Sequence, residues 1–236
     1  MIPWMVAASG AVAGTWAIYC LGAQAYHGGL ERGVIYRGPV SSRAVALTFD
    51  DGPVPGSTDR IAAILEQAGA RGTFFFLAQQ VEQHPDLARR IATAGHEVAV
   101  HGLTHRHLWL QGPRETQRQL QEAKAIIEAV TGRAPRFYRP PWGHFNLAVV
   151  PVARLLGLRV VVWSAAPPDY RPHLVAQELQ RHMERALRPG AIVDLHDGGP
   201  PGRSRALVEA LPAVLEKSAE LGLPCVSLRE MLDGAR

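Results

Sequence analysis

From residue 44 onward, short apolar runs alternate with stretches whose apolar positions recur on a helical period. The runs "AVALTF" (44–49), "GTFFFL" (72–77), "HEVAVH" (96–101), "RFYR" (136–139), "LRVVVW" (158–163), "AIVDLH" (191–196) and "PCVSL" (224–228) predict strands. Helices are expected over 58–69, 84–95, within 114–131, and over 146–157, 173–187 and 204–221. Gly69 stops the first, and Pro85 sits in the first turn of the second. Strict alternation of strand and helix is the pattern of a parallel α/β sheet. With about seven strands, and no G-x-G-x-x-G after the first, the expected architecture is a (β/α) barrel, incomplete or distorted, rather than an open dinucleotide-binding sheet.

The first 26 residues break the pattern. No Asp, Glu, Lys or Arg occurs before Glu31, so this stretch is long enough to cross a bilayer core, which needs about 20 residues. Ala23-Gln24-Ala25 also fits the small-x-small cleavage site of a secretory signal. The expected organisation is a membrane anchor or signal segment over 1–26, a linker over 27–43 and a globular domain over 44–232. A buried helix of that domain is the remaining reading of 1–26. Arg32, Arg37 and Arg43 would by the positive-inside rule hold the following side in the cytoplasm.

Composition narrows the class. The 236 residues are 47% hydrophobic and 19% charged, without repeats or low-complexity blocks, which points to one core and against disorder. The net charge of +4 comes from arginines dispersed along the chain, not clustered as nucleic-acid binders cluster them. Two cysteines, Cys20 and Cys225, imply neither a disulfide framework nor a cysteine metal site.

The polar residues that do not fit a core fall at one end of the predicted strands. Asp50 and Asp51 follow the first, His101 the third and Arg139 the fourth; Asp169 lies beyond the fifth and His196 ends the sixth. In a (β/α) barrel these C-terminal ends share one mouth, where active sites form. "HGLTHRHL" (101–108) spaces His101 and His105 so that two imidazoles can converge if the loop turns helically. One carboxylate added to them completes a His₂-Asp set with open positions, suited to zinc, with cobalt, manganese or nickel as alternatives. That also explains the paired aspartates "DD": one is neutralised by a metal while its neighbour stays free to accept a proton.

Taken together, these residues resemble the polysaccharide deacetylase family, the NodB-homology domain of carbohydrate esterase family four, over 44 to about 230. "TFDDGP" (48–53) matches the family's first motif, which implies that Asp50 is the catalytic base and Asp51 a metal ligand. "HGLTH" resembles the second and makes His101 and His105 the other ligands, with Gly102 in place of the usual Ser or Thr. "RPPWG" (139–143) resembles the third: Arg139 would orient the base, Pro141 and Trp142 would line the substrate groove, and the Trp142 N–H would face the oxyanion. "LHDGG" (195–199) resembles the fifth and makes His196 the general acid. The fourth motif, D-x-x-D-W, falls on "APPDY": Asp169 is kept to tune His196, Tyr170 replaces Trp on the groove wall, and Ala166 stands where the first aspartate would be. Asp194 also departs from the pattern. It lies two residues before His196 on the same side of the strand, placed either to charge the acid or to pair with an arginine.

The resemblance implies a monomeric, metal-dependent hydrolase that removes N-acetyl groups from amino sugars of an envelope glycan. It would be held at the membrane by its N-terminal segment with the domain outside the cytoplasm, or secreted, and would have no nucleic-acid partner. Two alternatives stand beside it. One is the same mechanism acting on O-acetyl esters or small cyclic amides, and the other a membrane-tethered glycan-binding module without catalysis.

Overall fold

A computed structural model describes residues 16–23, 33–199, 202 and 204–234. Seven strands form one parallel sheet: β1 (Val34–Ile35), β2 (Ala46–Asp50), β3 (Thr73–Leu77), β4 (Glu97–Gly102), β5 (Phe137–Tyr138), β6 (Arg159–Val161) and β7 (Ile192–His196). In the spatial order β1-β6-β5-β4-β3-β2-β7, strands β2 to β6 follow the chain around a curled half-barrel, with β7 added outside β2 and β1 outside β6. Just past β6, Ala165 bridges to Val193 of β7, so the open side of the curl is spanned at the mouth. The expected distorted (β/α) barrel is the fold observed.

Side-chain alternation divides the core in two. Leu47, Phe49, Phe74, Phe76, Val98 and Val100 point outward into the main cluster under the helices. Ala46, Phe75, Ala99, Phe137 and Ile192 point inward. Both faces are therefore buried, which is why these strands read as nearly continuous apolar runs. The helices are α1 (Thr58–Gln67), α2 (Ala78–Gln83), α3 (Pro85–Thr93), α4 (Pro113–Thr131), α5 (Val149–Leu155), α6 (Ala176–Ala186), α7 (Arg205–Glu220) and α8 (Leu228–Asp233). Helix α8 plugs the bottom of the curl, where Leu228 and Met231 join the inner cluster and the Leu228 N–H donates to Thr73 Oγ1 at 2.9 Å. The opposite end, at the strand C-termini, is left for polar groups.

Three expectations need correction. The stretch 27–43 contains β1, which pairs with β6, because an edge strand of two residues is too short to show a period of two. The run 224–228 contributes a single bridge, Val45 to Cys225, and then turns. Pro224 has no N–H for a ladder, and Ser227 instead caps α8 in a reciprocal box with Glu230. Helix α2, which follows β3 at once, is too short to have been seen as a period. Of the expected 1–26 segment, residues 1–15 and 24–26 lie outside the described residues, including Gln24 and Ala25 of the cleavage pattern. Residues 16–23 are helical, and the Tyr19 carbonyl accepts from Leu147 N–H at 3.1 Å. Among the described residues no helix is long and apolar enough to cross a membrane. Cys20 and Cys225 are both buried free thiols.

Phe49 is fully buried and stacks on Phe74 with ring centroids 4.9 Å apart. Phe49→Ala is expected to destabilise the domain by about 3–5 kcal/mol. A urea unfolding midpoint unchanged from the parent would contradict this packing.

Candidate active site

The inner face of the sheet changes character toward the mouth. On β2 the inward residues run Ala46, Thr48, Asp50, and on β7 Ile192, Asp194, His196, in register as Ala46 with Ile192, Thr48 with Asp194 and Asp50 with His196. On β4 Ala99 is followed inward by His101, and beyond β5 Phe137 is followed by Arg139. A period of two thus converts an apolar floor into a polar rim without leaving the strands. Asp50, Asp194, His101 and Arg139 are all buried there.

Beyond Asp50 the chain turns sharply, with Asp51 at φ 77°. Gly52 permits the turn, since a Cβ there would lie 2.1 Å from Asp197 Oδ2. The turn brings Asp51 Oδ1 to 3.5 Å from His101 Nε2 and 3.3 Å from His105 Nε2. One ligand atom from each of these three residues lies within 4.8 Å of the others. His101 Nδ1 lies 3.0 Å from the Arg139 carbonyl, so Nδ1–H donates to it and the Nε2 lone pair faces Asp51. Burial pushes the His101 pKa down to about 4, against the pull of Asp51, and lowers that of His105 as well. Two neutral imidazoles and a carboxylate, with a hydrogen bond fixing one tautomer from behind, fit a divalent cation.

A second group, Asp50, Asp194 and His196, is equally close together. Here a cation is already present. Arg139, fully buried, donates through Nη1 to Asp50 Oδ1 at 2.7 Å and to Asp194 Oδ1 at 2.9 Å, and through Nη2 to the Val162 carbonyl at 3.1 Å. Its guanidinium lies 4.2 Å from the centre of the Phe75 ring. Burial raises the Asp50 pKa above the usual carboxylate range, and Arg139 opposes that shift.

Across the mouth Asp169 holds His196 twice, accepting from its backbone N–H at 2.6 Å and lying 3.0 Å from its Nδ1. Burial works against the charged ring, but the Asp169 hydrogen bond and the charges of Asp169, Asp194 and Asp50 outweigh it and push the pKa up to about 10. Nδ1 is engaged, so Nε2 is the nitrogen left to exchange a proton.

The rim is aromatic. Trp142, with φ 56°, is 49% exposed, and Tyr170, next to Asp169, 52%. Pro141 is buried beneath Trp142. The Trp142 ring meets His105 edge-on with centroids 4.1 Å apart and stacks on His107 at 5.0 Å. His107 accepts the Trp109 N–H at Nδ1, which leaves its Nε2–H to donate to His144 Nδ1 at 2.8 Å. His107 and His144, expected to be ordinary surface or structural histidines, therefore buttress the wall. The only signal for them was their place in the two loops that carry His105 and Trp142. A cleft of about 670 Å³ opens beside Asp169 and Tyr170, lined by Arg171, His173 and Arg205 among others.

The ten expected catalytic, groove and metal-ligand residues, and Asp194 with them, lie around this mouth. Both alternatives for Asp194 hold: its oxygen bonds Arg139 directly, and its charge adds to those that raise the His196 pKa. The profile of the polysaccharide deacetylase family matches residues 37–161. A chitooligosaccharide deacetylase of Bradyrhizobium sp. is 40% identical over 72% of this chain and 77% of its own. A peptidoglycan-N-acetylglucosamine deacetylase of Bacillus cereus is 31% identical over 84% of this chain and 92% of its own. The crystal structure of a peptidoglycan N-acetylglucosamine deacetylase superposes with a TM-score of 0.83 at 28% identity, covering 89% of this chain and 97% of that one.

Because the folded-state pKa of His196 is raised, its stabilising contribution is complete below the unfolded value near 6.5 and is lost as pH rises through about 10. In metal-free protein, imidazole nitrogen NMR is expected to show His196 protonated up to about pH 10. In Asp169→Asn it should titrate at distinctly lower pH. Identical titrations would show that Asp169 does not hold the charge.

Proposed function

The chain belongs to the polysaccharide deacetylase family, and from that membership we propose that it hydrolyses N-acetyl groups on the amino sugars of an envelope glycan, chitin-like or peptidoglycan, releasing acetate and a free amine. The observation that carries this reading is the division of the mouth. Asp51, His101 and His105 converge beside Asp50 on one side, and the His196–Asp169 pair stands on the other. The two similar proteins named as deacetylases of chitooligosaccharide and of peptidoglycan N-acetylglucosamine support the substrate class.

Asp51, His101 and His105 would hold one divalent cation, zinc by the character of the donors. When bound, it supplies Lewis-acid polarisation of the acetyl oxygen and a lowered pKa for water. Asp50 removes the proton of the attacking water. Its Oδ1 is committed to Arg139, so Oδ2, 3.8 Å from His101 Nε2, is the oxygen that faces the reaction. Arg139 keeps Asp50 ionised and in one rotamer, and its backbone carbonyl fixes the His101 tautomer. An amide nitrogen leaves poorly as an anion, and His196 delivers the proton it needs from Nε2, with Asp169 maintaining the imidazolium. The Trp142 N–H faces the developing oxyanion. The exposed Trp142 and Tyr170 rings offer surfaces that sugar rings can stack against, with the buried Pro141 supporting the Trp142 turn. The domain acts outside the cytoplasm, held at the membrane or secreted, with residues 16–23 packed on it through Tyr19 and Ala23.

Acetate release from N-acetylated chitin and peptidoglycan oligomers, measured beside O-acetyl esters and small cyclic amides with metal analysis of the same samples, tests the reading. Native protein is expected to carry about one equivalent of metal and to prefer the N-acetylated glycans. Asp51→Asn should lose metal and activity together. Asp50→Asn should keep the metal and lose turnover by about 10²–10⁴-fold. Equal metal loss in both would overturn the division of roles, and no hydrolysis by metal-loaded native protein would leave a binding module.

His196→Ala should retain metal and slow amide hydrolysis, but cost far less on an activated aryl acetate, whose leaving group departs without a proton. Equal slowing of both substrates would remove His196 from the role of acid.

A further inference from the structure

Asp194 is a carboxylate the proposed reaction does not use, and its place is expensive. It is buried, its neighbour below on the inner face is Ile192, and an apolar side chain would extend that floor without desolvating a charge. Burial and the nearby Asp50 both push its pKa up, so two carboxylates that repel each other share one guanidinium nitrogen. Its charge helps to raise the His196 pKa, but it is not hydrogen-bonded to that ring, whose Nδ1 is taken by Asp169. What it touches is Arg139.

Arg139 has few anchors for a buried guanidinium. Nη1 is held by Asp50 from β2 and Asp194 from β7, Nη2 by the Val162 carbonyl after β6, and Nε has no hydrogen-bond partner. The Phe75 ring beneath fixes the plane but leaves rotation within it free. Without Asp194, the one remaining carboxylate on Nη1 is Asp50 itself. The arginine would then follow the base instead of holding it.

We infer that Asp194 is a positioning residue: by anchoring Arg139 Nη1 from β7 it makes the arginine a fixed post, so that the Asp50 carboxylate keeps the orientation in which Oδ2 faces Asp51, His101 and His105. The effect runs from β7 through Arg139 to β2, across the register pair Thr48–Asp194 that sits directly below Asp50 and His196. The inference rests on the catalytic reading of Asp50 for its kinetic consequence, and on the geometry of Arg139 alone for its structural one.

The experiment compares native protein with Asp194→Leu and with the isosteric Asp194→Asn, which keeps an acceptor oxygen without the charge. In ¹⁵N-arginine-labelled, metal-free protein, the Arg139 guanidinium is expected to give separate, slowly exchanging Nη signals. These should broaden or average in Asp194→Leu and shift less in Asp194→Asn. On N-acetylglucosamine oligomers, kcat of Asp194→Leu should fall about 10–100-fold with KM and bound metal close to native, and Asp194→Asn should recover part of the loss. Unchanged Arg139 signals in the leucine variant, or unchanged kcat, would overturn the inference, as would a fall in metal content matching the fall in rate. If Asp194→Leu does not fold, Asp194→Asn decides alone: native Arg139 signals with native kcat would overturn it, and altered signals with lowered kcat would support it. Should native protein release no acetate from any glycan, the proposed function fails, while the Arg139 signals still judge whether Asp194 holds the arginine.

Discussion

A guanidinium with no solvent exposure organises this molecule. Removing such a charge from water costs several kcal/mol unless it is paired and its donors are satisfied. Arg139 is paired, and its Nη1 and Nη2 are satisfied, only because four strands deliver their ends to one point: β5 carries it in, β2 and β7 bring Asp50 and Asp194, and the chain leaving β6 offers the Val162 carbonyl. A flat sheet in the observed order would place β6 and β7 far apart. The curl, and the Ala165–Val193 bridge that spans its open side, are therefore tied to the burial of this one residue.

From that post the charges of the mouth are divided into separate partnerships. Asp50 belongs to Arg139, Asp51 to two imidazoles and Asp169 to His196. Three histidines that would otherwise titrate alike are pushed apart by burial and by the partner each is given. Burial keeps His101 and His105 neutral and fit to be ligands. His196, nearly as enclosed, stays charged because its neighbours are carboxylates. The same side chain thus takes two chemical roles within one cleft, according to what stands beside it.

The outer wall follows a different physics. Trp142 stands half-exposed on a backbone with positive φ, a conformation costly for a bulky residue unless its surroundings impose it. The surroundings are His105 at its edge and His107 on its face, with His144 and Trp109 behind. The wall is consequently coupled to a candidate metal ligand by direct ring contact between two loops.

How much of this could be read from the chain depends on whether the signal was local. The alternation of apolar runs and helical periods was enough for a parallel, barrel-like sheet, because burial of both strand faces leaves a contiguous apolar signature. The clustering of Asp50, Asp51, His101, Arg139, Asp169 and His196 at strand ends was legible for the same reason, since strand ends in a parallel sheet share one edge. Val34 and Ile35 were illegible as a strand, and Cys225 as only a bridge, because two-residue pairings are made by partners far away in the chain and leave no period. His107 and His144 looked ordinary because nothing in either loop announces that the other lies 2.8 Å away. Asp194 could be placed by sequence on the inward side of its strand and no further. That it hydrogen-bonds Arg139 was decided in three dimensions, where Asp169 had already closed on Nδ1 of the histidine and the arginine brought Nη1 within reach.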